Sequence, residues 1–209
     1  MKFVSLLKEM LSKSSAESVG EKFVDDFNSG KVSKMSDTGG GRNIGIYDYG
    51  NYIIKRVKSN RKLDKENVGL LASKVGIFPR VVVPKALVTL SDGSQGIVMD
   101  KATGKSAEKL SDAEIEDIPD DHWKNFEKDV RMLSSKGVQT DLTKRSNMFY
   151  DSSKGFQFID IEGIAIDGDP TNKFFDKDGE ERYHSFERYP VFSKKFTTAK
   201  DMFTNIPKH

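Results

Sequence analysis

Two runs of strand-forming residues, 43–49 and 52–58, meet at Gly50-Asn51, a dipeptide suited to a two-residue hairpin turn. That junction commits the middle of the chain to an antiparallel ladder. The run Ser36-Asp37-Thr38-Gly39-Gly40-Gly41 just before it must be a turn or loop, so the hairpin has a glycine-rich entry. Further short β-branched runs follow at 80–83 and 85–90, separated by Pro84. The second of these meets 96–100 through Ser91-Asp92-Gly93-Ser94. Between the hairpins, Leu63, Leu70, Leu71 and Val75 stand among charged positions, which predicts a helix over 62–75 ending near Gly76. Five short strands and one helix make a small antiparallel lobe.

The flanks read as helical. Phe3, Leu6, Leu7, Met10 and Leu11 recur at helical spacing, predicting a short amphipathic helix over 1–12, and a second helical pattern runs through Phe23 and Phe27. Beyond the lobe, residues 104–119 are polar and connecting, with a short helix at 111–116. Pro119 then opens a strong helix with Trp123, Phe126, Val130 and Leu133 on one face, which Gly137 can end. Two strand segments, 147–150 and 156–160, follow around the turn Asp151-Ser152-Ser153-Lys154-Gly155. The fold class is therefore α+β.

Composition narrows the function classes. A chain of 209 residues can bury one good core or two small lobes, not several independent domains. Hydrophobic residues at 36% and charged ones at 32% suit a globular protein. The 34 basic and 32 acidic side chains nearly cancel, so a formal charge of +2 makes no electrostatic case for nucleic acid. The absence of cysteine excludes disulfides, thiolate metal sites and a thiol nucleophile. No apolar run is long enough for a membrane span, and the N-terminus lacks a secretory signal, so a cytosolic polypeptide is expected. His122, His184 and His209 are isolated in sequence and read as structural or surface residues. Asp176-Lys177-Asp178-Gly179-Glu180-Glu181 places its glycine too early for a calcium loop and reads as a polar turn. Tyr183, Phe186, Tyr189, Phe192 and Phe196 recur every three or four residues, but Pro190 interrupts a helix, so core packing is the expectation for this aromatic tail, with a substrate-docking surface as the alternative.

The residues with chemical potential fall in a definite order. Gly40, Gly41 and Gly45 let backbone N–H groups approach phosphate oxygens, and Lys55 stands in the apolar strand Tyr52-Ile53-Ile54-Lys55-Arg56-Val57. A lysine there is expensive to bury unless it meets an anion, which makes it the candidate for the α/β-phosphates of a nucleotide. Glu66, on the following predicted helix, is placed to pair with Lys55; a solvated Glu is the competing reading. In Gly96-Ile97-Val98-Met99-Asp100-Lys101-Ala102-Thr103-Gly104 an apolar strand breaks into a short polar segment, as a hinge does. Backbone groups of Asp100 to Ala102 are the candidates to hold adenine.

The last element is Gln139-Thr140-Asp141-Leu142-Thr143-Lys144-Arg145-Ser146-Asn147, followed by Phe158-Ile159-Asp160-Ile161-Glu162-Gly163. It resembles the protein-kinase catalytic loop H-R-D-L-x-x-x-N and metal motif D-F-G, with Asp160 thirteen residues after Asn147. The resemblance implies a minimal bilobal protein-kinase-like fold, with a small antiparallel-sheet N-lobe over 38–104, a reduced helical C-lobe over 105–209 and an N-terminal helical extension over 1–37. It implies ATP and Mg²⁺ as cofactors, Asp141 taking the proton of the acceptor hydroxyl, Lys144 steadying the γ-phosphate, and Asn147 and Asp160 as metal ligands. The pattern also departs from the family. Asn147 lies six rather than five positions after Asp141, which leaves Ser146 as an alternative ligand; Gln139 replaces the usual His, and Thr140 replaces the Arg that reads an activation-loop phosphate. The stretch after Gly163 is too short for the usual activation segment and large helical lobe.

That brevity resembles the minimal kinases that bacteria inject into host cells, in particular the effector family that phosphorylates the host heat-shock chaperone of the ninety-kilodalton class. The Ser/Lys-rich stretch 12–18 resembles the loosely structured leaders of such exported proteins. The implied protein is a monomeric serine/threonine kinase, secreted into the host cytoplasm, whose partner is a host protein. Two other functions stand against it: a small-molecule phosphotransferase of the aminoglycoside or sugar kinase type, and a kinase-derived binding module without turnover.

Overall fold

The computed structural model describes residues 2–36, 43–59, 80–135, 138–140, 145–159, 161–164, 171–175, 181–185 and 199–204. The chain divides into two compact units, Met1–Ala72 with Val83–Lys101, and Ser73–Val82 with Ala102–His209.

In the first unit, α1 (Lys2–Asn28) precedes β1 (Lys34–Ser36), β2 (Asn43–Tyr49), β3 (Tyr52–Val57), β4 (Pro84–Thr89) and β5 (Gln95–Asp100). The strands form one antiparallel sheet in the order β1-β2-β3-β5-β4. The hairpin turn lies where the sequence places it, with Gly50 at φ 72° accepting a conformation that a side chain would resist. Helix α1 lies across β3, β4 and β5. Its buried Ala16 and Phe23 meet Tyr47, Ile54, Ala86 and Val98 from the sheet and Leu90 just beyond β4. The helix comes close because Gly20 has no side chain: a Cβ there would stand 2.7 Å from Val88 Cγ1.

Two local expectations change. The two helical patterns at the N-terminus are one helix, and the Ser/Lys-rich stretch 12–18 lies inside it. Burial of Ala16 and Phe23 on the sheet outweighs the weak helix preference of the serines. The sheet has five strands as expected, but its membership differs. Residues 34–36 supply an edge strand, whereas 80–83 do not join this sheet. Val81 instead bridges to Phe158 in parallel, with Phe158 N–H donating to Arg80 C=O (2.8 Å) and Val82 N–H to Phe158 C=O (2.9 Å). The helix expected over 62–75 lies outside the described residues.

The second unit runs through β6 (Lys105–Ser106), a 3-10 turn at Ala107–Lys109, α2 (Asp112–Glu116), α3 (Asp120–Ser135), β7 (Val138–Thr140), a 3-10 turn at Arg145–Asn147, β8 (Met148–Asp151), β9 (Gly155–Phe158), β10 (Ile161–Ile164), β11 (Thr171–Phe175), β12 (Glu181–Ser185) and α4 (Ala199–Thr204). Strands pair as β6-β8-β9, β7-β10 and β11-β12. Helix α2 starts on a capping box: Ser111 Oγ accepts from Glu114 N–H, and the Glu114 carboxylate accepts from Ser111 N–H. Trp123, Phe126 and Val130 bury the expected face of α3. They close on Phe156 and Phe158 of β9 and Phe203 of α4 to form an aromatic core, with Trp123, Phe126, Tyr150 and Phe203 ringing Phe156 at 4.9–5.5 Å. The buried Asp129 of α3 takes both branches of the Arg80 guanidinium. His122 bonds Tyr150 Oη through Nδ1 at 3.0 Å, a packing role of the kind expected. The polar turn at 176–180 and most of the aromatic tail, 186–198, lie outside the described residues.

Candidate functional site

Lys55 occupies the middle of β3, the central strand, in register with Ile46 on one side and Ile97 on the other. Its neighbours Ile54 and Val57 are buried, and Lys55 itself is 6% exposed. Burying an ammonium that deeply is costly without an anionic or polar partner. Gly45 is buried on β2, opposite Arg56 beside an irregularity in the ladder. Gly40, Gly41 and Glu66 lie outside the described residues.

The end of β5 is anchored on its own sheet. Asp100 pairs with Tyr52 and binds the Lys85 ammonium at 2.8 Å, Lys101 N–H donates to Asn51 C=O at 2.9 Å, and the Lys101 ammonium pairs with Asp48. Two residues later the chain is fastened within the second unit. Thr103 N–H donates to Gln157 Oε1 (2.6 Å), and the Thr103 hydroxyl donates to the same oxygen (3.3 Å). Gly104, at φ 84°, lies so close to the Tyr150 carbonyl that a Cβ would run into it. Ala102 stands between these anchors. Among the described residues, neither its N–H nor its C=O has a hydrogen-bond partner. A backbone with one free donor and one free acceptor can pair with the edge of a nucleobase. Gln157 escaped the sequence reading, although a glutamine buried between Phe156 and Phe158 needs a polar partner and so carried a signal.

In the second unit the backbone brings the halves of the remaining motif together. Ile159 N–H donates to the Asn147 carbonyl at 2.9 Å. Ile161 pairs with Thr140 across β7 and β10. Both chain neighbours of Asp160 are thus held against the loop: one at Asn147, the other at the residue preceding Asp141. Asp141, Lys144 and Asp160 themselves lie outside the described residues. Asn147 is buried in its 3-10 turn, and its carboxamide oxygen is a hard donor suited to Mg²⁺. Among the described residues, no group of three or more His, Cys, Asp or Glu side chains is placed to hold a metal ion.

Arg145, at the start of the same turn, also escaped the sequence reading. It is 4% exposed, its Nη2 donates to the Thr204 carbonyl at 3.1 Å, and its guanidinium lies 4.7 Å from the centre of the Phe203 ring. Burial lowers its pKa from the usual guanidinium value, and the charge of Asp112 opposes that shift. An arginine in a polar loop gives no local sign that it is buried.

No protein-family model matches the chain, and no curated protein matches it in sequence. Solved structures do. The kinase PK-1 of Cydia pomonella granulovirus matches with a TM-score of 0.51 and 16% identity, covering 82% of this chain and 72% of that one. At that identity the likeness is one of fold, and the mixed α+β chain with its five-stranded antiparallel sheet has a small protein-kinase-like fold. Among the described residues, no helix is long and apolar enough to cross a membrane.

Proposed function

We propose that the chain is an ATP- and Mg²⁺-dependent phosphotransferase acting on serine or threonine hydroxyls of a protein. The observation that carries this reading is the double attachment around Asp160: Ile159 to Asn147, and Ile161 to Thr140. It gives the spacing of the loop and the metal motif a backbone reason. In this reading Ala102 holds the base through its free N–H and C=O, Lys55 meets the α- and β-phosphates, and Lys144 steadies the γ-phosphate. Asp141 takes the proton of the acceptor hydroxyl as its oxygen bonds to the γ-phosphorus and the bond to the β-phosphate oxygen breaks, releasing ADP. Asn147 and Asp160 hold the Mg²⁺, which when bound neutralises charge on the phosphates.

A protein acceptor, and more narrowly a host heat-shock chaperone reached by bacterial injection, is supported by the sequence resemblance and by nothing in the fold. The structural neighbour, PK-1 of Cydia pomonella granulovirus, is a kinase, which agrees with phosphotransfer. The test is incubation of wild-type, Lys55→Met and Asp160→Ala protein with γ-labelled ATP, Mg²⁺ and a eukaryotic lysate. Label in a host protein, lost by at least about 100-fold in both variants, is the expected result. Label of equal strength in Asp160→Ala overturns the metal assignment. If calorimetry detects no nucleotide binding to folded wild-type protein, the chain is a binding module instead.

A further inference from the structure

We infer that Arg145 is a positioning residue for the metal-holding turn, and that the C-terminal helix α4 is the brace it leans on. The inference rests on the functional reading above, in which Asn147 is a metal ligand.

Within the second unit, a continuous series of contacts leads from α4 to the proposed ligands. Phe203 is fully buried, 5.4 Å from Trp123 and 5.5 Å from Phe156 in ring centroids, so the aromatic core fixes it. Arg145 stacks on that ring and donates to the carbonyl of the next residue, Thr204. The last carbonyls of a helix lack intrahelical partners and favour a cation, so the end of α4 is a fitting seat for a guanidinium. Two residues on, in the same 3-10 turn, is Asn147, whose carbonyl binds Ile159, the neighbour of Asp160.

Stability does not explain an arginine here. Its Nε and Nη1 are buried, and among the described residues neither has a hydrogen-bond partner. A buried guanidinium with two orphaned donors is a poor substitute for an apolar side chain of similar length, which would pack on Phe203 without the desolvation penalty. What arginine adds is direction. A flat, rigid fork that stacks on one residue and bonds the next fixes the rotation and height of the turn that carries it, which a flexible hydrophobe does not. Groups that orient a metal ligand from behind control metal affinity without touching the metal.

The experiment uses the full chain. Mg²⁺ is titrated calorimetrically onto protein saturated with a non-hydrolysable ATP analogue, for wild type, Arg145→Met and Phe203→Leu, with thermal midpoints measured in parallel. Arg145→Met should keep or raise the thermal midpoint yet weaken Mg²⁺ binding by about 10- to 100-fold, with metal-free nucleotide affinity unchanged. Phe203→Leu, which removes the stacking plane and covers the case of a misfolded Arg145→Met, should weaken Mg²⁺ by about 3- to 10-fold. If both variants bind Mg²⁺ as wild type does, the brace is refuted while the functional reading stands. Folded wild type that binds no Mg²⁺ with the analogue overturns the functional reading and this inference together.

Discussion

The two units build their cores by different means. The first lays one helix on a sheet of hairpins, and its buried set is mostly aliphatic: Ile54, Ala86, Leu90 and Val98 around Phe23 and Tyr47. Many modest contacts from the helix and several strands share the load there. The second gathers rings from α3, β8, β9 and α4 around Phe156, and its backbone is pinned by single links such as Arg80 to Asp129 and Thr103 to Gln157. A core of few large parts is specific but exposed to the loss of any one. Both units bury a cation on the way to the proposed chemistry: Lys55 in the middle of an apolar strand, Arg145 at a turn between ring and carbonyl.

That contrast is open to direct attack, because Trp123 is the sole tryptophan and lies in the second core. Its fluorescence follows the second unit, while circular dichroism follows both. The largest loss is expected for Phe156→Ala, about 4 kcal/mol in denaturant unfolding by fluorescence, against about 1 kcal/mol for Ile54→Val in the first core. Equal losses would erase the distinction, and coincident shifts in both probes would show the units melting as one. Arg80→Met should rank next at about 3 kcal/mol, since it strands the buried Asp129 carboxylate; a value under about 1 kcal/mol would mean that Asp129 finds another partner. Glycine supplies the third comparison. Gly104→Ala forces a Cβ into the Tyr150 carbonyl and should cost about 3 kcal/mol, while Gly50→Ala, at a similar φ but in open space, should cost about 1 kcal/mol by the same melt.

The smallest effect concerns the capping box on α2. The Lys105 ammonium, then the Ser111 N–H and hydroxyl, hold the Glu114 carboxyl at about 2, below its usual 4.5. A carboxyl whose pKa is depressed on folding contributes its stability above the unfolded value and loses it as pH falls through the folded one. The thermal midpoint of Glu114→Gln should therefore trail wild type at pH 7 and converge with it between pH 4.5 and 2. A constant offset across that range would assign the effect to packing rather than charge.

Helices, hairpins and the order of the motif were within reach of the sequence, because their causes are local. Gly50-Asn51 and Asp92-Gly93 set turns, Ser111 and Glu114 cap a helix, and Trp123, Phe126 and Val130 fall on one helical face. Lys55 was visible as a charge in an apolar strand, and Asn147 by its distance from Asp160. Tertiary structure decided what depends on distant partners. It gave the edge of the sheet to 34–36, turned 80–82 toward Phe158, and made one helix of two patterns by burying Phe23. It also set Gln157 under Thr103 and Arg145 on Phe203. Strand pairing and the burial of a polar side chain are settled by residues far along the chain, and no window of neighbouring sequence contains them.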